Sequence, residues 1–86
     1  MTIDELVRKC KCGVSISIND HLNIYQPIEE ALAELEDAVS DESRARIYKT
    51  GRLVILRFYP YTPIGFWIIA DGTIEDALQR AEACFL

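Results

Sequence analysis

Residues 53–81 read LVILRFYPYTPIGFWIIADGTIEDALQRA, and they decide the fold class. Leu53 to Tyr59 is a nearly continuous apolar, β-prone run interrupted only by Arg57, as expected for a central strand covered on both faces. Pro60 and Pro63 bracket a connection over residues 60–63, short enough to require an antiparallel return. Ile64 to Ala70 reads as the returning strand, with Ile64, Phe66 and Ile68 expected on the core face and Gly65, Trp67 and Ile69 on the other. Asp71 and Gly72 make a turn. Thr73 and Asp76 then have the spacing of a capping box, ahead of a helix over about 74–85 whose Ile74, Ala77, Leu78, Ala81 and Phe85 form one apolar stripe.

Toward the N-terminus, Ser40 as a cap, Asp41 and Glu42 in a first turn, Lys49 in a last turn and Gly51 beyond it predict a helix rather than a hairpin, because both ends carry the charges its dipole favours. Pro27 suits the first position of a preceding helix, with Ile28, Leu32, Leu35 and Val39 along its buried stripe. Asn19, Asp20, His21 and Asn23 form a polar turn region, and Leu22 to Tyr25 is expected as a brief extended segment. Val14, Ile16 and Ile18 alternate with Ser15, Ser17 and Asn19, the period of a strand with one buried face. Thr2 and Glu5 cap a first helix over about 3–11, with Ile3, Leu6, Val7 and Cys10 inward and Gly13 as its stop. The order α-β-α-α-β-β-α predicts an α+β fold: a small two-layer sandwich with an antiparallel sheet of three or four strands and helices packed on it, forming a single domain over residues 1–86.

Half of the 86 residues are apolar and 27% are charged, the composition of a chain that folds. No apolar run is long enough to span a bilayer and the first residues lack a signal-peptide core, so a cytoplasmic, non-membrane location is expected. Cys10, Cys12 and Cys84 are an odd set in which free thiols are the default, with Cys10 and Cys84 assigned to packing.

The charges are segregated. Between Cys12 and Ser43 there is no Lys or Arg, while Asp20, Glu29, Glu30, Glu34, Glu36, Asp37, Asp41 and Glu42 all fall there. Arg44, Arg46, Lys49, Arg52 and Arg57 follow with no acid among them. An acidic face can simply be solvated, or it can dock a basic partner by occupying the places of phosphates. Glu30, Glu34 and Asp37 are expected as one ridge opposite the apolar stripe of the second helix. The contact set expected for a protein partner with a basic surface is Glu29, Glu30, Glu34, Asp37 and Asp41, together with Tyr59 and Tyr61 of the aromatic, proline-punctuated connection. Nucleic acid is the weaker expectation, because acids outnumber bases; it would use Arg44, Arg46, Lys49 and Arg52.

Catalysis and metal binding find little support. Cys10, Cys12, Cys84 and His21 have zinc-donor atoms, but a single Cys-x-Cys pair is not a zinc knuckle. The one histidine supports no nucleophile–base pair, and the isolated glycines make no phosphate loop, so no cofactor, metal or catalytic residue is assigned. The closing strand, turn and Thr-Ile-Glu-Asp-Ala-Leu helix, over about a quarter of the chain, resembles the end of HicB-like antitoxin domains; no residue role is carried over from it. Small acidic domains without a catalytic site also resemble the inhibitors that phages and mobile elements direct at host nucleases, anti-CRISPR proteins included. The expected function is therefore non-enzymatic: an acidic protein that blocks or regulates a protein partner. An antitoxin-like module, dimerising through its sheet and touching nucleic acid, is the alternative, and a small thiol or zinc enzyme comes third.

With a formal charge of −5 the protein is expected not to shift random duplex DNA at physiological salt. A salt-sensitive submicromolar complex in a mobility-shift assay would put the antitoxin-like reading first.

Overall fold

The computed structural model describes residues 1–19 and 28–85. The turn at Asp20, His21 and Asn23, the extended segment Leu22 to Tyr25, the helix start at Pro27 and the side chain of Ile28 lie outside the described residues. The elements run α1 (Ile3–Lys9), β1 (Val14–Asn19), α2 (Ile28–Ala33), a 3-10 turn (Glu36–Ala38), α3 (Asp41–Thr50), β2 (Leu53–Phe58), β3 (Trp67–Asp71) and α4 (Ile74–Ala83). The α+β class and the expected order hold, and the three described strands form an antiparallel sheet ordered β1-β2-β3. Val14 faces Phe58 and Asn19 faces Leu53 on one side of β2; Phe58 faces Trp67 and Val54 faces Asp71 on the other.

The caps form where their chemistry places them. The Thr2, Ser40 and Thr73 hydroxyls accept the amide N–H groups of Glu5, Ser43 and Asp76, three residues into each helix. Ser43 completes a reciprocal box by accepting the Ser40 N–H through its own hydroxyl at 2.8 Å. Gly51 closes α3 at φ 67°, a left-handed conformation that costs a residue with a Cβ about 1 kcal/mol.

Period-2 alternation along β2 splits its apolar side chains between two cores. Val54, Leu56 and Phe58 join Leu6 and Cys10 of α1, Ile69 of β3, and Ala77, Leu78 and Ala81 of α4. Phe85, just past α4, stacks on Phe58 at 5.8 Å between ring centroids. On the other face Leu53 and the half-buried Ile55 meet Ala31 and Leu32 of α2, Ile47 of α3 and Ala70 of β3. Thus α1 and α4 supply the expected helix layer, and a second, smaller core sits beneath α2 and α3. Each fully buried Leu or Phe contributes roughly 2 kcal/mol of hydrophobic stabilisation.

Four expectations are corrected. The second helix is not continuous: α2 stops at Ala33, and the chain tightens through Leu35 N–H to Leu32 C=O and Ala38 N–H to Leu35 C=O bonds into the 3-10 turn. Glu34, Glu36 and Asp37 follow with no base in the last turn, so the negative helix end meets negative side chains and longer helix is disfavoured. The returning strand starts at Trp67 rather than Ile64, Ile64 and Phe66 are exposed instead of buried, and the main core takes Ile69 while Ile68 is only half-buried, the reverse of the expected faces. Ile3 and Val7 of α1 are exposed although Leu6 and Cys10 are buried, because a seven-residue helix on a small sheet covers only a narrow stripe. Ile18, at the far end of edge strand β1, is also exposed rather than buried.

The tightest polar junction joins β3, α3 and α4. The carboxylate of Asp71 has no exposure to solvent, and Arg46 of α3 clasps it with Nε and Nη2, each 2.8 Å from an oxygen. The Gly72 N–H donates to it at 2.7 Å, and Arg80 Nη1 lies 3.9 Å away. A Cβ on Gly72 would sit 2.6 Å from the carbonyl oxygen of Arg46, so α3 approaches this turn as closely as only glycine allows. Burial by itself would raise the Asp71 carboxyl, but the Arg46 hydrogen bond, the Gly72 N–H and the charges of Arg46 and Arg80 outweigh it and hold the group below its ordinary range.

Because the folded value is depressed, this stabilisation is complete above the ordinary carboxyl value of 3.8 and is lost as pH falls through the folded value. Arg46→Ala is expected to cost about 3 kcal/mol at neutral pH, the low end for orphaning one member of a buried pair because Arg46 is itself partly exposed. Urea midpoints of variant and parent, measured between about pH 2 and 7, should converge toward the acid end. A deficit that does not depend on pH would show that the pairing is not what Arg46 contributes.

Candidate partner-binding groove

The connection after Phe58 decides where the exposed aromatic residues go. Pro60 and Pro63 have no N–H to offer a ladder, and the Thr62 hydroxyl accepts the Gly65 N–H at 2.9 Å, so a local turn occupies the place where the strand was expected to begin. Phe66 therefore lies at the surface, 49% exposed, with the Tyr59 ring 5.6 Å away and the Arg57 guanidinium 5.0 Å from its centroid. Tyr61 is 74% exposed, Ile64 89% and Trp67 47%, so one end of the β2–β3 ribbon carries a concentrated apolar surface.

Opposite this surface lies the break after α2. A groove of about 630 Å³ separates the two, with Glu34, Glu36 and Asp37 on one wall and Phe66, Trp67 and Ile68 on the other. The three acids are exposed, and among the described residues no Lys, Arg or His lines the groove, although the Arg57 guanidinium lies over the Phe66 ring at its rim. Carboxylates beside aromatic faces attract cations twice, through charge and through the ring quadrupole, and the apolar wall lowers the local dielectric in which both act.

Of the residues expected to bind a partner, Glu34 and Asp37 line the groove. Glu30 and Asp41 are exposed but are not among its lining residues, and the expected Glu30, Glu34 and Asp37 ridge is broken because only Glu30 is on the helix. Glu29 is exposed and is not among the lining residues either; the hydroxyl of Tyr48 of α3 is pushed above its ordinary value by desolvation and by the nearby Glu29 carboxylate. Tyr59 is half-buried against Phe66, and Tyr61 stands free at the loop tip. Glu36, Phe66, Trp67 and Ile68, with Ala33, Leu35 and Ala38 beneath, are the groove residues that sequence reasoning did not place there. The two prolines and Gly65 were the signal for a late strand start, since proline lacks a ladder donor and glycine weakens a strand.

One member of the basic set is spent inside the fold. Arg46 is committed to Asp71 and lies 3.6 Å from Asp76, while Arg44, Lys49 and Arg52 are exposed. The nucleic-acid stripe therefore loses its second member to an internal carboxylate.

Cys10 lies in the main core and Cys84 packs against it; burial pushes both thiols up, away from the reactive thiolate. Cys12 is exposed. Among the described residues no three His, Cys, Asp or Glu side chains cluster so as to hold a metal ion, and no helix is long and apolar enough to cross a membrane. His21 lies outside the described residues. No family model, no curated protein and no solved structure matches the chain.

Exposed aromatic and aliphatic residues contribute little to folding, so Tyr61→Ser with Ile64→Ser is expected to change stability by no more than about 1 kcal/mol. Phe58→Ala, which empties a fully buried site, is expected to cost about 3–4 kcal/mol. Urea denaturation measures both. An equal loss from the two variants would mean that the loop surface belongs to the core rather than to a binding face.

Proposed function

We propose that this protein is a non-enzymatic binding module that occupies a basic surface of a protein partner and thereby blocks or regulates it, acting in the cytoplasm. The observation that carries this reading is the facing of three carboxylates, Glu34, Glu36 and Asp37, by the exposed rings of Phe66 and Trp67 across one groove. Charge would steer the encounter and the rings would hold the complex, since interfaces draw most of their energy from a few desolvated aromatic or Arg anchors and much of their association rate from complementary fields. An acidic module of this kind suits the nucleic-acid groove of a protein, where its carboxylates would stand in for phosphates. Arg46 spent on Asp71 weighs against a nucleic-acid partner for the chain itself.

Affinity capture from a host lysate identifies the partner, and two triple variants then test the surface. Glu34→Lys, Glu36→Lys and Asp37→Lys together are expected to slow association with the captured partner at least about tenfold at low salt. Glu30→Lys, Asp41→Lys and Glu42→Lys, which make the same change in net charge outside the groove, should slow it much less. Trp67→Ala should leave association nearly intact and speed dissociation about thirtyfold, as loss of a 2 kcal/mol anchor requires. Equal effects from the two triple variants, or unchanged kinetics in all three proteins, would overturn the groove as the contact.

A further inference from the structure

The main chain of β3 points to the form in which a partner enters the groove. The Tyr59 N–H donates to the Gly13 carbonyl at 3.0 Å, next in register after the Val14 and Phe58 pair. In an antiparallel ladder, hydrogen-bonded pairs alternate, so Leu53, Ile55 and Arg57 turn their main-chain groups to β1, and Val54, Leu56 and Phe58 turn theirs to β3. Their partners Asp71, Ile69 and Trp67 are then the β3 residues that bond to β2. Ile68 and Ala70 must direct their N–H and C=O groups away from the sheet.

A contact independent of that parity agrees. Arg80 Nη1 donates to the Ala70 carbonyl at 2.7 Å, which is possible only if that carbonyl faces outward. The side chain of Arg80 thus closes the β3 edge at Ala70. Two positions earlier, Ile68 lines the acidic groove. Open strand edges are usually blunted by charge, proline or a covering element, and among the described residues the guard stands at one end only.

We infer that the groove takes an extended, basic segment of the partner protein as an added strand on the β3 edge, paired through the main chain of Ile68. The inference rests on the reading above and adds its binding mode. Successive side chains of an added strand point to opposite faces, about 3.3 Å apart along the chain. Cationic side chains of such a strand would meet Glu34, Glu36 and Asp37 on the wall opposite β3, and the Trp67 ring beside Phe66, whose own ring already carries the Arg57 guanidinium. The charge makes the choice of occupant: a groove with three acids and no base among its described lining residues repels an acidic segment and leaves the ammonium or guanidinium groups of a basic one paired.

The probe is the capped peptide acetyl-Lys-Val-Arg-Val-Lys-amide, compared with the same peptide methylated in turn on the amide nitrogen of each central residue. Side chains and charge are unchanged by methylation, but one main-chain donor is lost. Strand addition predicts that methylation at one parity weakens binding at least about tenfold while the alternate position tolerates it, because only every second residue bonds to the edge. It also predicts that the Ile68 amide proton exchanges more slowly in the complex. Ile68→Pro removes an outward N–H without breaking the β2–β3 ladder and should weaken the parent peptide by a similar factor. Peptide binding that is abolished by Glu34→Lys, Glu36→Lys and Asp37→Lys yet indifferent to methylation at every position would overturn strand addition while leaving the acidic docking surface standing. No binding of the parent peptide at millimolar concentration would also overturn strand addition, with the kinetics of the captured partner deciding the docking surface separately.

Discussion

A carboxylate without solvent contact stays ionised in so small a protein only if cations and N–H groups replace the water it has lost, and the fold is arranged around that requirement at Asp71. The clasp from Arg46 joins the end of β3 to the middle of α3, and the Gly72 N–H ties it to the turn that leads into α4. Three elements that also meet through Ile69 and Ala70 in the two cores are joined at this corner by directional bonds. The close passage of α3 over Gly72 follows, and so does the placing of Ile47 over the second core. Hydrophobic burial supplies most of the energy of the two cores, but it does not by itself specify the angle at which α3 crosses the sheet.

The same junction shapes the surface. Arg46 and Arg80 lie at the Asp71 carboxylate, and Arg80 also closes the β3 edge at Ala70. Arg46 and Arg80 are thus not available to the acidic stretch between α2 and α3, and among the described residues Glu34, Glu36 and Asp37 share a groove with an apolar wall rather than with bases. Negative charge at the end of α2 is also what disfavours its continuation, so the break in the helix and the acidity of the groove have one origin. The proposed contact is thus a consequence of how charge is apportioned inside the fold.

Much of the architecture was legible because the deciding signals are local. Caps at Thr2, Ser40 and Thr73 depend on a hydroxyl three residues from an amide, and Gly51 on a backbone conformation of its own. The apolar density of Leu53 to Phe58 announced a central strand with two covered faces. Phe66 was misplaced because alternation was extended backward from Ile68 through Gly65 to Ile64, although a strand can only begin where its main chain finds a ladder. The Thr62 turn satisfied Gly65 first. Leu35 and Val39 were expected on the inner side and do pack on the second core, but from a 3-10 turn and the segment after it rather than from one helix.

What the sequence determined on its own was the α+β class, the order of elements, the assignment of Cys10 and Cys84 to packing and the separation of acidic from basic segments, all of which follow from periodicity, capping chemistry and composition within about a dozen residues. Only the tertiary structure decided which charges are spent and which are available. Asp71 and Arg46 are 25 residues apart, and nothing in their local surroundings distinguishes them from surface residues. Glu34 and Trp67 come to share a groove because β3 lies beside the 3-10 turn, a neighbourhood created by chain topology rather than by any pattern along the chain. Pairing of distant charges and the exposure of one sheet edge are properties of packed elements, so a linear code of propensities carries no record of them.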